Sequence, residues 1–355
     1  MEKLRVGLVG CGAIANLMHL PGLKMLEAMG KVGVVAVCDA VEAAARGTSE
    51  RFEIPTYFTD LGTMLEQLDF DLLVNTTPIP QHFAISLAGL RAGHHVYTQK
   101  PMATTLDEAT ILIDEAQLHG VVLGCAPEHP VRPVIRKIRE LIDAGTIGTV
   151  SFARVQSSHD GPEKHNVPRD STWFYQPGSS PILDLGVHGL SQITSILGPI
   201  KRVACLSGRS RPVRVTTAGP FKGKQIEVNI DDNSLMMLDF GDAKFSFLDA
   251  SYCLEASLGP QLEVYGSDGT LSVVSGGNTG EPLHLYRSSQ KEWVRVELPP
   301  ASPIRDLGIQ HMVETLLDGT ELVLTGARAR HLLEVMLAAP RAATEARTIE
   351  LTTAF

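Results

Sequence analysis

A chain of 355 residues is long enough to bury at least one large core, and the length fits about two domains. Hydrophobic residues at 44% and charged residues at 20% are globular values, which argue against a disordered or fibrous protein. The formal net charge of -9, with no run of like charge, argues against a nucleic-acid partner, and no apolar stretch is long enough to span a bilayer.

The first apolar run, residues 4–9, predicts a strand that leads directly into Gly10-Cys11-Gly12-Ala13-Ile14-Ala15. Gly10 permits a tight turn, Gly12 lets the backbone approach a pyrophosphate, and Ala15 keeps the following helix close to its strand. The free N–H groups at that helix start, with the helix dipole, face an anion. A glycine pair also occurs in ordinary loops, so the second run matters: it ends Val34-Val35-Ala36-Val37-Cys38 and closes on Asp39. A carboxylate there accepts the ribose hydroxyls and repels a 2'-phosphate, and Ala40-Val41-Glu42 brings no Arg or Lys. The expectation is a dinucleotide site for NAD rather than NADP, with Gly10, Gly12, Ala13, Ile14 and Asp39 at the cofactor.

Further strands are predicted over 72–75, 95–98 and 121–124, with helices over 42–52, 81–92 and 106–118 between them. Alternation of this kind predicts a doubly wound parallel sheet covered on both faces, with Pro21 kinking or restarting the first helix. After a helix over 134–144 the pattern changes. Strands over 149–159, 201–207, 234–240, 244–249, 261–265 and 270–274 follow, several with period-two alternation and one turn reading Gly266-Ser267-Asp268-Gly269. One helix over 182–197 interrupts them, and two more, over 304–317 and 327–344, come near the end. The expected architecture is α/β: an N-terminal dinucleotide domain over 1–125, then an α+β domain over 126–355 with a large, mainly antiparallel open sheet. Five cysteines, odd in number and without a C-x-x-C pair, predict reduced thiols. A first strand within a few residues of Met1 leaves no room for a signal peptide, so a cytoplasmic location is expected.

Three clusters stand out as candidates for chemistry. Asn75-Thr76-Thr77-Pro78, with His82 beyond it, ends a strand where ligands gather in open parallel sheets, although Pro and polar caps also build ordinary helix entries. Gln99-Lys100-Pro101 places a lysine at the same sheet edge, with a proline behind it that is open to a cis bond; a solvated surface lysine is the plainer alternative. Asp184-Leu185-Gly186-Val187-His188 sets a carboxylate and an imidazole four residues apart on one helical face. Oxidation of a secondary alcohol needs a base for the hydroxyl proton, which such a histidine suits; a buried Asp–His bond serving the core is the alternative.

Taken jointly, Gly10-x-Gly12-x-x-Ala15, His19-Leu20-Pro21, Thr77-Pro78 with His82, Ala92-Gly93-His94-His95-Val96 leading to Lys100-Pro101, and Asp184-x-Gly186-x-His188 resemble the Gfo/Idh/MocA oxidoreductases, the group of glucose-fructose oxidoreductase and inositol dehydrogenase. The resemblance extends to Ala144-Gly145-Thr146-Ile147-Gly148 and to the region from Gly319 to Phe355. It implies a Rossmann domain followed by an α/β domain whose open sheet covers the cofactor on one face and often forms an oligomer interface on the other, hence a homodimer or homotetramer. It also implies that Lys100 and His188 lie nearest the reacting carbon, with Asp184 in their hydrogen-bond network, and that Thr76, Thr77, Pro78, His82, Gln99 and Lys100 belong to the cofactor site.

Two departures from the family pattern are visible. Its usual Glu before Lys-Pro is Gln99 here, which removes a negative charge beside Lys100 and makes the amine either a readier base or a less firmly held one. The glycine-rich run before the Asp is reduced to Gly178-Ser179-Ser180.

The segment 157–176 is the expected substrate-selecting loop. It holds His159, Asp160, Glu163, Lys164, His165, Asn166, Arg169, Asp170, Trp173 and Tyr175, a mixture of donors, acceptors and aromatic faces suited to a polyhydroxylated ring. Of these, His159, His165, Trp173 and Tyr175 are the expected substrate contacts. A metal on His159, Asp160 and His165 is disfavoured, because the spacing matches no familiar ligand motif. The activity expected is NAD-dependent oxidation of a secondary hydroxyl of a sugar, cyclitol or related polyol, or the reverse reduction. The alternatives are a non-catalytic NAD- or sugar-sensing regulator on the same fold, and a glycosidase or lyase that uses NAD transiently.

Overall fold

The structure is a computed structural model that describes residues 3–166, 169–274, 282–300 and 302–355. It divides into two compact units, 1–131 with 300–333 and 355, and 132–299 with 334–354.

The first unit is built on six parallel strands: β1 (Leu4–Val9), β2 (Val32–Cys38), β3 (Thr56–Phe58), β4 (Leu72–Asn75), β5 (His95–Thr98) and β6 (Leu123–Cys125). Their order is β3-β2-β1-β4-β5-β6. Val6, Leu8, Val37, Leu72, Val74 and Val96 are fully buried, as in a parallel sheet covered on both faces. The covering helices include α1 (Leu20–Ala28), α2 (Glu42–Arg51), α3 (Leu61–Gln67), α4 (His82–Arg91) and α5 (Leu106–Leu118). The last of these carries a complete capping box between Thr105 and Glu108. Pro21 restarts the first helix: a π turn over Ala15–His19 precedes α1, and Pro21, which has no N–H to give the preceding turn, sits in the first turn of α1. Sequence patterning does not reveal β3, a three-residue edge strand that is only half-buried, or the seven-residue α3.

The second unit starts with α6 (Pro133–Asp143) and β7 (Val150–Gln156), followed by a π turn (Ile182–Gly186) continuous with α7 (Val187–Leu197). Then come β8 (Arg202–Gly208), β9 (Val213–Val215), β10 (Gln225–Glu227), β11 (Asn233–Gly241), β12 (Lys244–Ser251), β13 (Leu262–Gly266), β14 (Gly269–Val273), β15 (Leu283–Arg287) and β16 (Glu292–Val296). Towards the end of the chain lie α8 (Leu307–Asp318), α9 (Gly326–Glu345) and β17 (Ile349–Glu350). Nine strands form one sheet in the order β16-β15-β14-β13-β7-β12-β11-β8-β17, and only the β7–β12 pair is parallel. Strict alternation in β11 buries Ser234, Met236 and Leu238 while exposing Leu235 and Met237. Gly189 lets α7 approach the sheet: a methyl there would come 2.8 Å from Leu248 and 3.1 Å from Ser157.

The contact pattern differs from two continuous domains over 1–125 and 126–355. Ile309, Met312 and Val313 of α8, with Ile304 and Leu324, are buried in the same apolar cluster as Val6, Leu8 and Leu23. Residues 300–333 therefore belong with the first unit, because the apolar face of α8 finds its partners there.

Candidate active site

The residues of the first unit expected at the cofactor follow the carboxyl ends of its strands. The Gly10 N–H donates to the Cys38 carbonyl at 2.8 Å, and φ of +96° at Gly10 carries the chain out of β1. A side chain at Gly10 would meet the Thr76 carbonyl carbon and the Thr77 nitrogen at 2.7 Å, so only glycine lets the β1 turn and the β4 end lie together. The buried Thr76 hydroxyl lies 2.6 Å from the Gly10 carbonyl oxygen and reinforces that contact. Gly12 differs: a methyl there meets nothing within 4 Å, so its outer face is open. Ala13 and Ile14 are exposed beside it.

Asp39 directly follows β2, with both carboxylate oxygens oriented by backbone donors: Oδ2 accepts from Cys11 N–H at 2.8 Å and Oδ1 from Val41 N–H at 2.9 Å. Each oxygen keeps a further lone pair for a ligand hydroxyl. Open space at Gly12 and the held carboxylate of Asp39 fit the pyrophosphate and ribose of NAD.

Lys100 follows β5 at the same edge, and its bond to Pro101 is cis. Two neighbours expected at the cofactor are engaged elsewhere. His82 is almost fully buried, with Nδ1 2.6 Å from the Pro101 carbonyl oxygen and Nε2 2.8 Å from that of Thr77. It braces the loop after β4 against the loop after β5 and offers no ring nitrogen to a ligand. Burial lowers its basicity. The carboxamide of Gln99 is turned to His19, with the two Nε2 atoms 2.6 Å apart. Thr77 gives both its hydroxyl and its N–H to Asn75 Oδ1, at 2.7 and 3.2 Å, and its carbonyl faces His82, so its polar groups are engaged within the turn.

In the second unit Asp184 sits in the π turn and His188 in the first turn of α7. The Ser157 hydroxyl donates to the Leu185 carbonyl at 2.6 Å and accepts from Gly189 N–H at 3.2 Å, pinning the π turn to the end of β7. π-bulges are frequent at functional sites. Asp184 Oδ2 accepts from the Tyr252 hydroxyl at 3.1 Å. The His159 ring stacks on Tyr252 with centroids 5.5 Å apart and lies 4.8 Å from the His165 ring. Asp184, Tyr252, His159 and His165 thus form one contiguous group. Burial, with His165 next, lowers the basicity of His159, and burial raises the Tyr252 hydroxyl well above its ordinary range.

Tyr175, expected at the substrate, is fully buried: its hydroxyl donates to Glu163 and its ring packs against Tyr252 and Arg214. Sequence reasoning missed the reason, a buried ionic group centred on Arg214. Its guanidinium reaches Glu163 Oε1 at 3.0 Å and Asp232 Oδ2 at 2.8 Å, all three side chains being at most 2% exposed. Arg214 also donates to the Asp160 carbonyl at 3.3 Å, so the group fixes the loop that carries His159 and His165. Trp173 remains 46% exposed and available to a ligand.

His159, Asp160 and His165 offer ligand atoms within 4.8 Å of one another. However, Nδ1 of His159 accepts Gly161 N–H at 2.9 Å, which puts the ring proton on Nε2 and leaves no lone pair there for an ion.

A nucleotide-binding parallel sheet followed by a large open sheet defines a class of two-part oxidoreductases. Residues 4–126 match the family model described as an oxidoreductase family with an NAD-binding Rossmann fold, and residues 135–272 match the GFO/IDH/MocA C-terminal domain. The chain belongs to the Gfo/Idh/MocA oxidoreductase family, and its first unit is an NAD-binding Rossmann domain. Among curated proteins it is 26% identical to D-apiose dehydrogenase of Paraburkholderia graminis, over 99% of this chain and 90% of that protein. It is 21% identical to D-glucoside 3-dehydrogenase of Escherichia coli, over 95% and 94%. Among solved structures, levoglucosan dehydrogenase in complex with NADH and L-sorbose superposes with a TM-score of 0.86 at 18% identity, covering 99% of this chain and all (100%) of that one. An NAD binding oxidoreductase from Klebsiella pneumoniae gives 0.86 at 19% identity, with coverages of 99% and 100%.

Proposed function

We propose that the protein is an NAD-dependent dehydrogenase that oxidises a secondary hydroxyl of a sugar, cyclitol or related polyol to a ketone, or runs the reverse reduction. The observation that carries the proposal is the position of Lys100 at the end of β5, on the sheet edge that also presents Gly10 and Asp39. The names of the curated relatives, which act on apiose and glucosides, support a polyhydroxylated substrate.

NAD, when bound, supplies the hydride acceptor. Gly10, Gly12 and the turn at Thr77 and Pro78 hold its pyrophosphate side, and Asp39 holds a ribose. Loss of the hydroxyl proton needs a base, and Lys100 and His188 are the residues proposed to share that proton work, with Asp184 as the carboxylate of the set. Tyr252 fixes Asp184, while His159, His165 and Trp173 receive substrate hydroxyls and ring faces. Lys100→Met keeps NAD affinity and loses turnover by about 10²–10⁴-fold, the worth of a positioned acid–base group. NADH absorbance against a panel of sugars and inositols, with product analysis, reads the result; near-normal turnover in the variant removes Lys100 from the mechanism. No NADH with any polyol favours a sensing regulator, and bond cleavage without net NADH favours transient use of NAD.

The nine-stranded sheet offers a face for a second copy. Leu206, Met237, Phe245 and Phe152 are 75%, 65%, 45% and 40% exposed, and the register sets Leu206 opposite Leu235 and Phe245 opposite Phe152. An apolar face of this kind supports a homodimer or homotetramer. Leu206→Asp with Met237→Asp yields monomers in size-exclusion chromatography with light scattering; an unchanged mass rejects this face as the interface. We place the enzyme in the cytoplasm, consistent with five free thiols; burial pushes Cys38 and Cys205 up to about 11.

A further inference from the structure

A buried polar chain inside the first unit ends on the backbone of Lys100. Asp306 Oδ2 lies 2.6 Å from Nδ1 of His19, both side chains 1% exposed. The other carboxylate oxygen of Asp306 accepts Ile309 N–H at 3.0 Å and caps α8. On the far side of the imidazole, Nε2 faces the Gln99 amide nitrogen at 2.6 Å, and Gln99 Oε1 faces the Lys100 backbone N–H at 3.4 Å.

The hydrogens along this chain have one consistent assignment. A backbone N–H is only a donor, so the carboxamide atom facing Lys100 must be the oxygen, and the atom facing His19 must be the NH2 group. His19 Nε2 must then be an acceptor, which puts the ring proton on Nδ1, where Asp306 accepts it. The imidazole is held neutral in a single tautomer. A carboxylate at position 99 reverses this: it needs a proton from Nε2, and with Asp306 on Nδ1 the ring carries both protons as an imidazolium between two anions.

We propose that His19 and Asp306 are positioning residues for Lys100 acting through Gln99, in a chain that requires glutamine at 99 and a neutral His19 protonated on Nδ1. The inference rests on the catalytic reading of Lys100. The groups that face the ring are Asp306, Gln99 and Tyr97, whose ring lies 6.1 Å away, edge-on; Tyr97 is fully buried and burial raises its hydroxyl well above the ordinary range. Gly22 shows how closely the elements meet, since a methyl there would come 2.8 Å from the Asp306 Cβ.

The test is the imidazole ¹⁵N signature of His19 in the full-length protein at pH 7.5, assigned by its loss in His19→Asn. The expected wild-type pattern is a neutral ring with its proton on Nδ1, and Gln99→Glu converts it to the doubly protonated pattern at the same pH. Kinetically, His19→Asn and Asp306→Asn lower kcat by about 10–100-fold, as a displacement near 1 Å does, while the KM for NAD changes less than about threefold. A wild-type imidazolium, a proton on Nε2, or a Gln99→Glu spectrum like the wild type overturns the inference. So does a fully active, folded Asp306→Asn. Should His19→Asn not fold, the wild-type and Gln99→Glu spectra decide alone, with the signal assigned from Asp306→Asn. Because the spectra do not depend on turnover, Lys100→Met separates the two readings: normal activity in that variant rejects Lys100 as the base whatever the state of His19.

Discussion

Replacing Gly10 and Gly12 separately by alanine divides the nucleotide turn into a folding part and a binding part. At Gly10 the new methyl meets main-chain atoms of Thr76 and Thr77 at 2.7 Å, and φ of +96° is unfavourable for any L side chain. Left-handed backbone costs about 1–2 kcal/mol and overpacking about 1–3 kcal/mol, so Gly10→Ala costs about 2–5 kcal/mol. At about 2–4 °C per kcal/mol for a unit of this size, Tm falls by roughly 5–20 °C, and NAD affinity falls with it. At Gly12 the methyl meets nothing within 4 Å and the backbone is not left-handed, so Tm should stay within about 1 °C. The same methyl occupies the space a pyrophosphate approaches, and about 1–3 kcal/mol of crowding raises the Kd for NAD by about 5–150-fold. Thermal unfolding without ligand and calorimetric titration with NAD measure the two effects. Gly12→Ala with wild-type NAD affinity refutes the placement of the pyrophosphate, and Gly10→Ala with an unchanged Tm refutes the contact with the β4 end.

Arg214→Met leaves the buried Glu163 and Asp232 without their cation and is expected to cost about 3–5 kcal/mol, read from urea unfolding; a loss below about 1 kcal/mol means the group is not what holds the loop. Acid should weaken the fold through its histidines: burial lowers His82, His94, His95 and His159 from 6.5, so the unfolded chain binds more protons as pH falls below that value. Stability is then present above about 6.5 and lost on acidification, and Tm declines between pH 7.5 and 5.5; a flat or rising Tm over that interval contradicts it. The same variable separates a later loss, since Glu334, whose carboxylate accepts from the N–H and hydroxyl groups of Thr352 and Thr353, is lowered from 4.5 and gives up its stabilisation only in more acidic solution.

Much of the fold is legible because strong periodicity and punctuation agree. The helix expected over 106–118 is the observed α5, where Thr105 and Glu108 mark the start and an apolar stripe carries it to Leu118. β11 and β12 show the alternation of a sheet with one buried face. The short pieces β3, β9, β10 and β17, each of two or three residues, carry too little pattern to stand out. The assignment of α8 to the first unit was equally hidden, because its apolar face names no partner until Ile309, Met312 and Val313 meet the core around Leu8 and Leu23.

The candidate site shows a sharper limit. Residue type identifies groups able to bind a ligand, but not whether the protein has already used them. His82, Gln99 and Tyr175 all have suitable chemistry, and each spends it internally: on the carbonyls of Thr77 and Pro101, on His19, and on Glu163. The partners lie between 5 and 80 positions away in sequence, and the most distant are in elements whose packing local pattern does not fix. Buried polar groups must find partners or incur about 1–3 kcal/mol each, so the polar residues around a site divide into those that satisfy one another and those left facing outward. Glu163, Tyr175, Arg214 and Asp232 bond to one another behind the loop, and Arg214 also holds the Asp160 carbonyl next to His159. Under the proposed function, with His159, His165 and Trp173 at the substrate, changes to Arg214 perturb substrate selection without touching the substrate, read as an altered order of kcat/KM across the sugar panel.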